Sequence, residues 1–173
     1  MSRLRRLVLS DRWFFITCRV LPPGSVLSAS EFGLLARGIA ERRAEHRFLL
    51  TAWVFLPDHW HAIFCPPFPL TIATVMESIK VAVTKRINRA RCERGRLWQP
   101  RYFDRAVRTV REYHEKVEYI HLNPVRAGLV KRPGDWPWSS VHEYAGNFSD
   151  APVTPSGLCL DRVGLPADQH TRI

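Results

Sequence analysis

FLLTAWVFLPDHWHAIFC, residues 48–65, is the stretch that decides the fold. Its first half, 48–56, is almost wholly apolar, the pattern of a central strand covered on both faces. Pro57 and Asp58 then turn the chain, and 59–65 reads as a second strand whose side chains alternate between two faces. The stretch is therefore a β-hairpin, and what flanks it sets the architecture.

Upstream, WFFITCRV (13–20) is aromatic and β-branched, a strand ended by Pro22, Pro23 and Gly24. Ser28 with Glu31 makes a capping-box pattern, and Phe32, Leu35, Ala36, Ile39 and Ala40 recur at helical spacing until about His46. Downstream, an amphipathic helix over about 71–94 carries Ile72, Val75, Met76, Ile79, Val83 and Ile87 on one stripe. A further strand is expected at 101–108, and Thr109 with Glu112 opens another helix. That helix is expected to end near Asn123, because the residue before a proline disfavours the α conformation and Pro124 follows. The order β-α-β-β-α-β plus one C-terminal helix predicts an α+β, ferredoxin-like (RRM-like) antiparallel sheet with helices on one face. Residues 1–146 read as one domain with a basic N-terminal arm, and 147–173, where Pro, Gly, Asp and Ser gather, as a loosely structured tail.

Composition narrows the function. With 46% hydrophobic and 24% charged residues, the 173-residue chain can bury a core and is neither disordered nor collagen-like. Its 26 Lys and Arg against 16 Asp and Glu leave a net charge of +10, an excess that suits a polyanion. The four cysteines (Cys18, Cys65, Cys92, Cys159) are far apart, which argues against disulfide or zinc-ribbon frameworks and for a reducing compartment. No apolar run reaches membrane-spanning length, and MSRLRRLVLS is too soon interrupted for a signal peptide. The expectation is a cytoplasmic, nucleoid-associated protein whose partner is DNA or RNA, with no membrane contact.

His59 and His61 flank Trp60, and period-two alternation puts both imidazoles on one face, close enough to hold one metal ion. For an arbitrary HxH a merely polar strand face is the commoner outcome. Here the setting is very apolar, so the pair needs partners if it faces inward. In the last helix Tyr113, Val117 and Ile120 share the core face, whereas Tyr119 projects roughly 120° away from that stripe. Asn123 follows Tyr119 by one turn. Judged from this helix alone, an exposed tyrosine and an asparagine capping the helix before Pro124 is the commoner outcome.

The motifs nonetheless resemble a known family. AWVFLPDHWHAIFCPP resembles the histidine–hydrophobic–histidine (HUH) motif of the single-tyrosine transposases. LWQPRYFDRAVR, EYIHLNPVRAGLV and DWPWSSVHEY are similar to the remainder of the REP-associated tyrosine transposases, in the same order over roughly 12–145. The resemblance implies metal-binding His59 and His61, a nucleophilic Tyr119 on the helix after the core, and Asn123 as the third, amide ligand. It also implies cleavage of single-stranded DNA near hairpins, through a 5′-phosphotyrosine whose bond energy allows rejoining without ATP. Trp60 is bulkier than the usual residue between the histidines, and Asp58 replaces a common Asn or Glu; neither change removes a ligand. The implied nitrogen/oxygen ligand set suits Mg²⁺ or Mn²⁺. No general base is evident; Glu115, four residues before Tyr119, qualifies by spacing only.

Basic residues outline an expected DNA-binding footprint: Arg101, Arg105 and Arg108 around the last strand, with Arg111 opening the helix after it. Lys80, Lys85, Arg86 and Arg89 lie on the long helix, and Arg3, Arg5 and Arg6 on the N-terminal arm. Trp98 and Tyr102 are candidate base-stacking residues, although such aromatics are more often core. The tryptophans of WPWSS (136–140) read as pinning the C-terminal segment to the domain. Two other readings compete. A ferredoxin-like module could bind single-stranded nucleic acid without catalysis, but has no need of the His59, His61, Tyr119 and Asn123 set. A zinc hydrolase of the HxHxDH type lacks its Asp-His pair, since Ala62, Ile63 and Phe64 follow His61. A monomer and a homodimer are both compatible with the sequence, as are a mobile element and a domesticated enzyme.

Overall fold

The hairpin sits between two helices, as its flanks require. The computed structural model describes residues 12–21, 26–144, 157–165 and 172–173. Its elements are β1 (Phe14–Arg19), α1 (Ala29–His46), β2 (Leu49–Phe55), β3 (His59–Cys65), α2 (Ile72–Arg91), β4 (Phe103–Ala106) and α3 (Val110–Arg126). A 3₁₀ turn at Pro133–Asp135 and a one-turn helix α4 (Val141–Tyr144) follow. The four strands form one antiparallel sheet in the order β2-β3-β1-β4, the ferredoxin-like arrangement. No helix among the described residues is long and apolar enough to cross a membrane.

Alternation along each strand divides the core in two. Phe14, Ile16 and Cys18 of β1 with Trp60, Ala62 and Phe64 of β3 face α1 and α2, while Phe15 and Ile63 face α3. The helices are thus not confined to one face: α3 packs on the opposite one, against β2 and β3. A bulge absorbs Thr51, since Leu50 pairs with Phe64 but Ala52 with Ile63. Without that extra residue one end of the apolar run would present its side chains to the wrong faces.

Three further expectations are corrected. β2 is not central but an edge strand. Its apolar run reflects burial of both faces, which says nothing about its flank. That flank is closed by the WPWSS segment, where Phe55 N donates to Trp138 O (2.9 Å) and Ser140 N to Trp53 O (2.9 Å). The second correction is that α3 runs through Pro124 to Arg126. Leu129 N donates to Pro124 O and Gly128 N to Val125 O, with Gly128 at φ +70°, so a Schellman motif built on glycine ends the helix. Asn123 therefore lies inside the helix and caps nothing. Third, of the tail expected to be loose, residues 157–165 are docked: Leu158 is buried, and Asp161 both receives Leu50 N and donates its own N–H to Leu50 O (2.8 Å each). Residues 145–156 and 166–171 lie outside the described residues.

The helix caps follow the sequence closely. Ser28 and Glu31 form the reciprocal capping box on α1. Thr109 accepts from Glu112 N (3.1 Å), but the Glu112 carboxylate accepts from Arg108 N (2.9 Å) rather than closing a box on Thr109.

Candidate active site

β1 and β3 lie side by side with Thr17 opposite His61 and Arg19 opposite His59. Both histidines consequently face the α3 side of the sheet, while Trp60 between them is fully buried on the other. That bulky residue belongs to the α1/α2 core and never enters the site. Each imidazole is held by its Nδ1: His61 by Thr17 Oγ1 (2.9 Å) and His59 by Asp58 Oδ1 (2.6 Å). Asp58 is held in turn by Arg19 (3.4 Å). Such contacts set ring orientation and leave Nε2 of each ring outside them.

Asn123 meets this pair from α3. Its amide Nδ2 donates to His61 Nε2 at 3.1 Å, in a buried contact. Burial, and then the neighbouring His59, push the His61 imidazolium down to about 3, so at neutral pH the ring keeps a lone pair available. One turn before Asn123, the Tyr119 ring stands edge-on to His61 (centroids 5.4 Å apart) and to Phe15 (5.7 Å). The Arg126 guanidinium lies 5.0 Å from the Tyr119 ring centre and Lys116 Nζ 5.9 Å from it. His59, His61, Tyr119 and Asn123 all line one open cleft of about 600 Å³.

These donors fit a divalent cation. Imidazole nitrogens and an amide, which can turn its oxygen inward, form a partial shell open to a cleft. Both histidines already carry the outer partners that metal ligands use. Among the described residues there is no cluster of three or more His, Cys, Asp or Glu placed to hold a metal ion.

The expected basic footprint is divided. Lys80, Lys85 and Arg86 lie on α2, across the sheet from the cleft. There Lys80 Nζ donates to Gln99 O (2.8 Å), and Arg86 is bound to Glu41 of α1. Arg105 is on the cleft side, opposite Phe15, but Glu112 engages it at 2.6 Å. Arg101 and Arg108 are exposed around β4, and Arg3, Arg5 and Arg6 lie outside the described residues. Trp98, only 4% exposed, packs edge-on to Trp60 as a core residue and offers no face to a base. Glu115 pairs with Arg111 (3.0 Å) rather than with Tyr119.

The cleft residues that went unrecognised in the sequence include Thr17, Phe103, Lys116 and Arg126. Lys116 and Arg126 had a signal, since they stand three before and seven after Tyr119 on one helical face. Thr17 and Phe103 had none, because only strand register brings them to the site.

Comparison with known proteins places the chain. The family model described as "Transposase IS200 like" matches residues 30–123. The REP-associated tyrosine transposase of Escherichia coli (strain K12) is 32% identical over 161 residues, covering 87% of this chain and 94% of that one. Among solved structures, a REP-associated tyrosine transposase bound to a REP hairpin superposes with a TM-score of 0.74 at 29% identity. It covers 100% of this chain and 99% of its own.

Proposed function

We propose, from the premise that this chain belongs to the IS200-like transposases and within them to the REP-associated tyrosine transposases, that it is a divalent-metal-dependent single-stranded DNA endonuclease and strand transferase acting on hairpin DNA. The observation that carries this reading is the convergence of His59, His61, Asn123 and Tyr119, from a hairpin and a distant helix, on one cleft. Hairpin DNA as substrate is supported by the similar structure solved with a REP hairpin.

His59, His61 and Asn123 are the residues that would hold Mg²⁺ or Mn²⁺. When bound, such an ion supplies charge stabilisation to the phosphate oxygens of the cleaved bond. Tyr119 is the nucleophile. Its phenol loses its proton, the oxygen bonds to phosphorus, the P–O3′ bond breaks, and the leaving strand departs as a 3′-OH. The 5′ end stays on Tyr119 as a phosphotyrosine ester, and attack on it by a 3′-OH reverses the sequence, releasing the phenol. No external energy source is required, because one phosphate ester replaces another. Thr17 and Asp58 keep the two imidazoles aimed, and burial keeps His61 unprotonated.

Incubation with a hairpin oligonucleotide carrying single-stranded flanks and Mn²⁺ is expected to yield an SDS-resistant adduct. Tyr119→Phe should abolish it. An adduct that survives that substitution would remove Tyr119 from the mechanism, and binding without any adduct would favour the non-catalytic module.

A further inference from the structure

Several arginines of this protein are held in ion pairs. Arg19, Arg43, Arg86, Arg91, Arg105, Arg111 and Arg132 each reach a carboxylate. Lys116 and Arg126 have no carboxylate within 4.0 Å among the described residues, and unlike other cations so placed they line the cleft beside Tyr119. Their cationic groups lie against aromatic rings: Lys116 Nζ is 5.1 Å from the centre of Phe15, and Arg126 5.0 Å from that of Tyr119. A pair of cations lining a cleft without a close carboxylate is a ready phosphate site.

Phe103 is the second anomaly. It is 57% exposed, on strand β4 at the edge of the sheet, and stands opposite Thr17 on the cleft side. Phe15 touches it edge-on (6.3 Å) as well as Tyr119 (5.7 Å), so one aromatic floor joins the exposed ring to the nucleophile. An exposed phenylalanine beside unpaired cations presents a stacking face next to a phosphate site, the combination that single-stranded nucleic acid requires.

We infer that Phe103 stacks an unpaired base of the DNA strand adjoining the cut, while Lys116 and Arg126 hold the phosphate beside it, so that the three seat the strand against Tyr119. This rests on the proposed function and adds to it how the flanking single strand is gripped. Lys116 and Arg126 hold the phosphate through charge, and Phe103 holds the base through a π-face that accepts any of the four.

The test measures equilibrium binding, in the Tyr119→Phe background with chelator present, of two probes: a DNA hairpin with a single-stranded flank and the same hairpin blunt-ended. Phe103→Ala is expected to weaken the flanked probe by about tenfold and leave the blunt one unchanged, with Phe103→Trp restoring affinity. The Lys116→Ala/Arg126→Ala double variant is expected to lower the slope of log affinity against log salt by roughly one to two on the flanked probe only. Equal effects on both probes, or a flanked-probe affinity for Phe103→Ala within twofold of the parent, would overturn the inference while leaving hairpin recognition intact. Failure of the parent chain to bind either probe would overturn the proposed function itself, and this inference with it.

Discussion

The two faces of the sheet are built from the same strands and differ in almost everything else. On the α1/α2 face, Trp53, Phe55, Trp60 and Phe64 interlock with two long helices, and Gly38 lets α1 approach Val83 of α2 closely. Ion pairs tie the two helices together: Arg91 with Glu31, Arg86 with Glu41. On the other face α3 leaves a cleft, and the strands that contribute Ile16 and Trp60 to one side contribute Thr17 and His61 to the other. The lesson is a division of labour enforced by pleating. One face holds the fold, and so the other can carry polar groups and unpaired cations that a closed core would reject.

Neighbours in sequence provide the sharpest test of that division. If the proposed function holds, His61→Ala should cut DNA cleavage roughly a thousandfold, the several kcal/mol that a metal held there would supply, while the thermal midpoint moves little. Trp60→Ala, one residue away, should cost about 3–4 kcal/mol of stability by denaturant titration. If the two effects are exchanged, the assignment of faces is wrong. A smaller effect is expected at the α1/α2 contact. A Cβ on Gly38 would lie 2.5 Å from Val83 Cγ2, so Gly38→Ala should lower stability by about 1–2 kcal/mol despite alanine's better helix propensity. A rise in stability would show that the helices are not packed so closely.

The smallest effect is electrostatic. The Arg91 guanidinium, hydrogen-bonded to the Glu31 carboxylate, holds that carboxyl below the usual carboxylate range. A depressed carboxylate stabilises the fold above its unfolded value, and the contribution is lost as pH falls through the lower folded one. Arg91→Gln should therefore make acid unfolding begin at higher pH, by an amount worth about 1 kcal/mol. The shift should vanish in Glu31→Gln, where no carboxylate remains to titrate; persistence there would assign the effect to packing.

Much of this protein was legible in its residues because the signals are local. Alternation in HWHAIFC put both histidines on one face, helical spacing set Tyr119 and Asn123 on one flank, and Ser28 with Glu31 marked a helix start. The motif order pointed to the family. Other features depended on contacts between segments distant in the chain. Pro124 looked like a stop, yet the helix continues to a glycine that closes it with backbone bonds no side chain advertises. An apolar run told of two covered faces but not of an edge, which residues 138–140 seal from some eighty positions away. A stripe of lysines and arginines on α2 looked like a DNA surface, and packing turned Lys80 and Arg86 to structural use across the sheet from the cleft.

By itself, then, the amino-acid order determined which residues could be ligands, nucleophile and core, since periodicity and side-chain chemistry are properties of short segments. Only the folded molecule decided that Thr17 steadies His61, that Phe103 and Arg126 share the cleft, and that Lys116 and Arg126 lie over the Tyr119 ring. Those outcomes depend on strand register and on which face each helix covers, quantities set by the summed packing of the whole chain rather than by any one stretch of it.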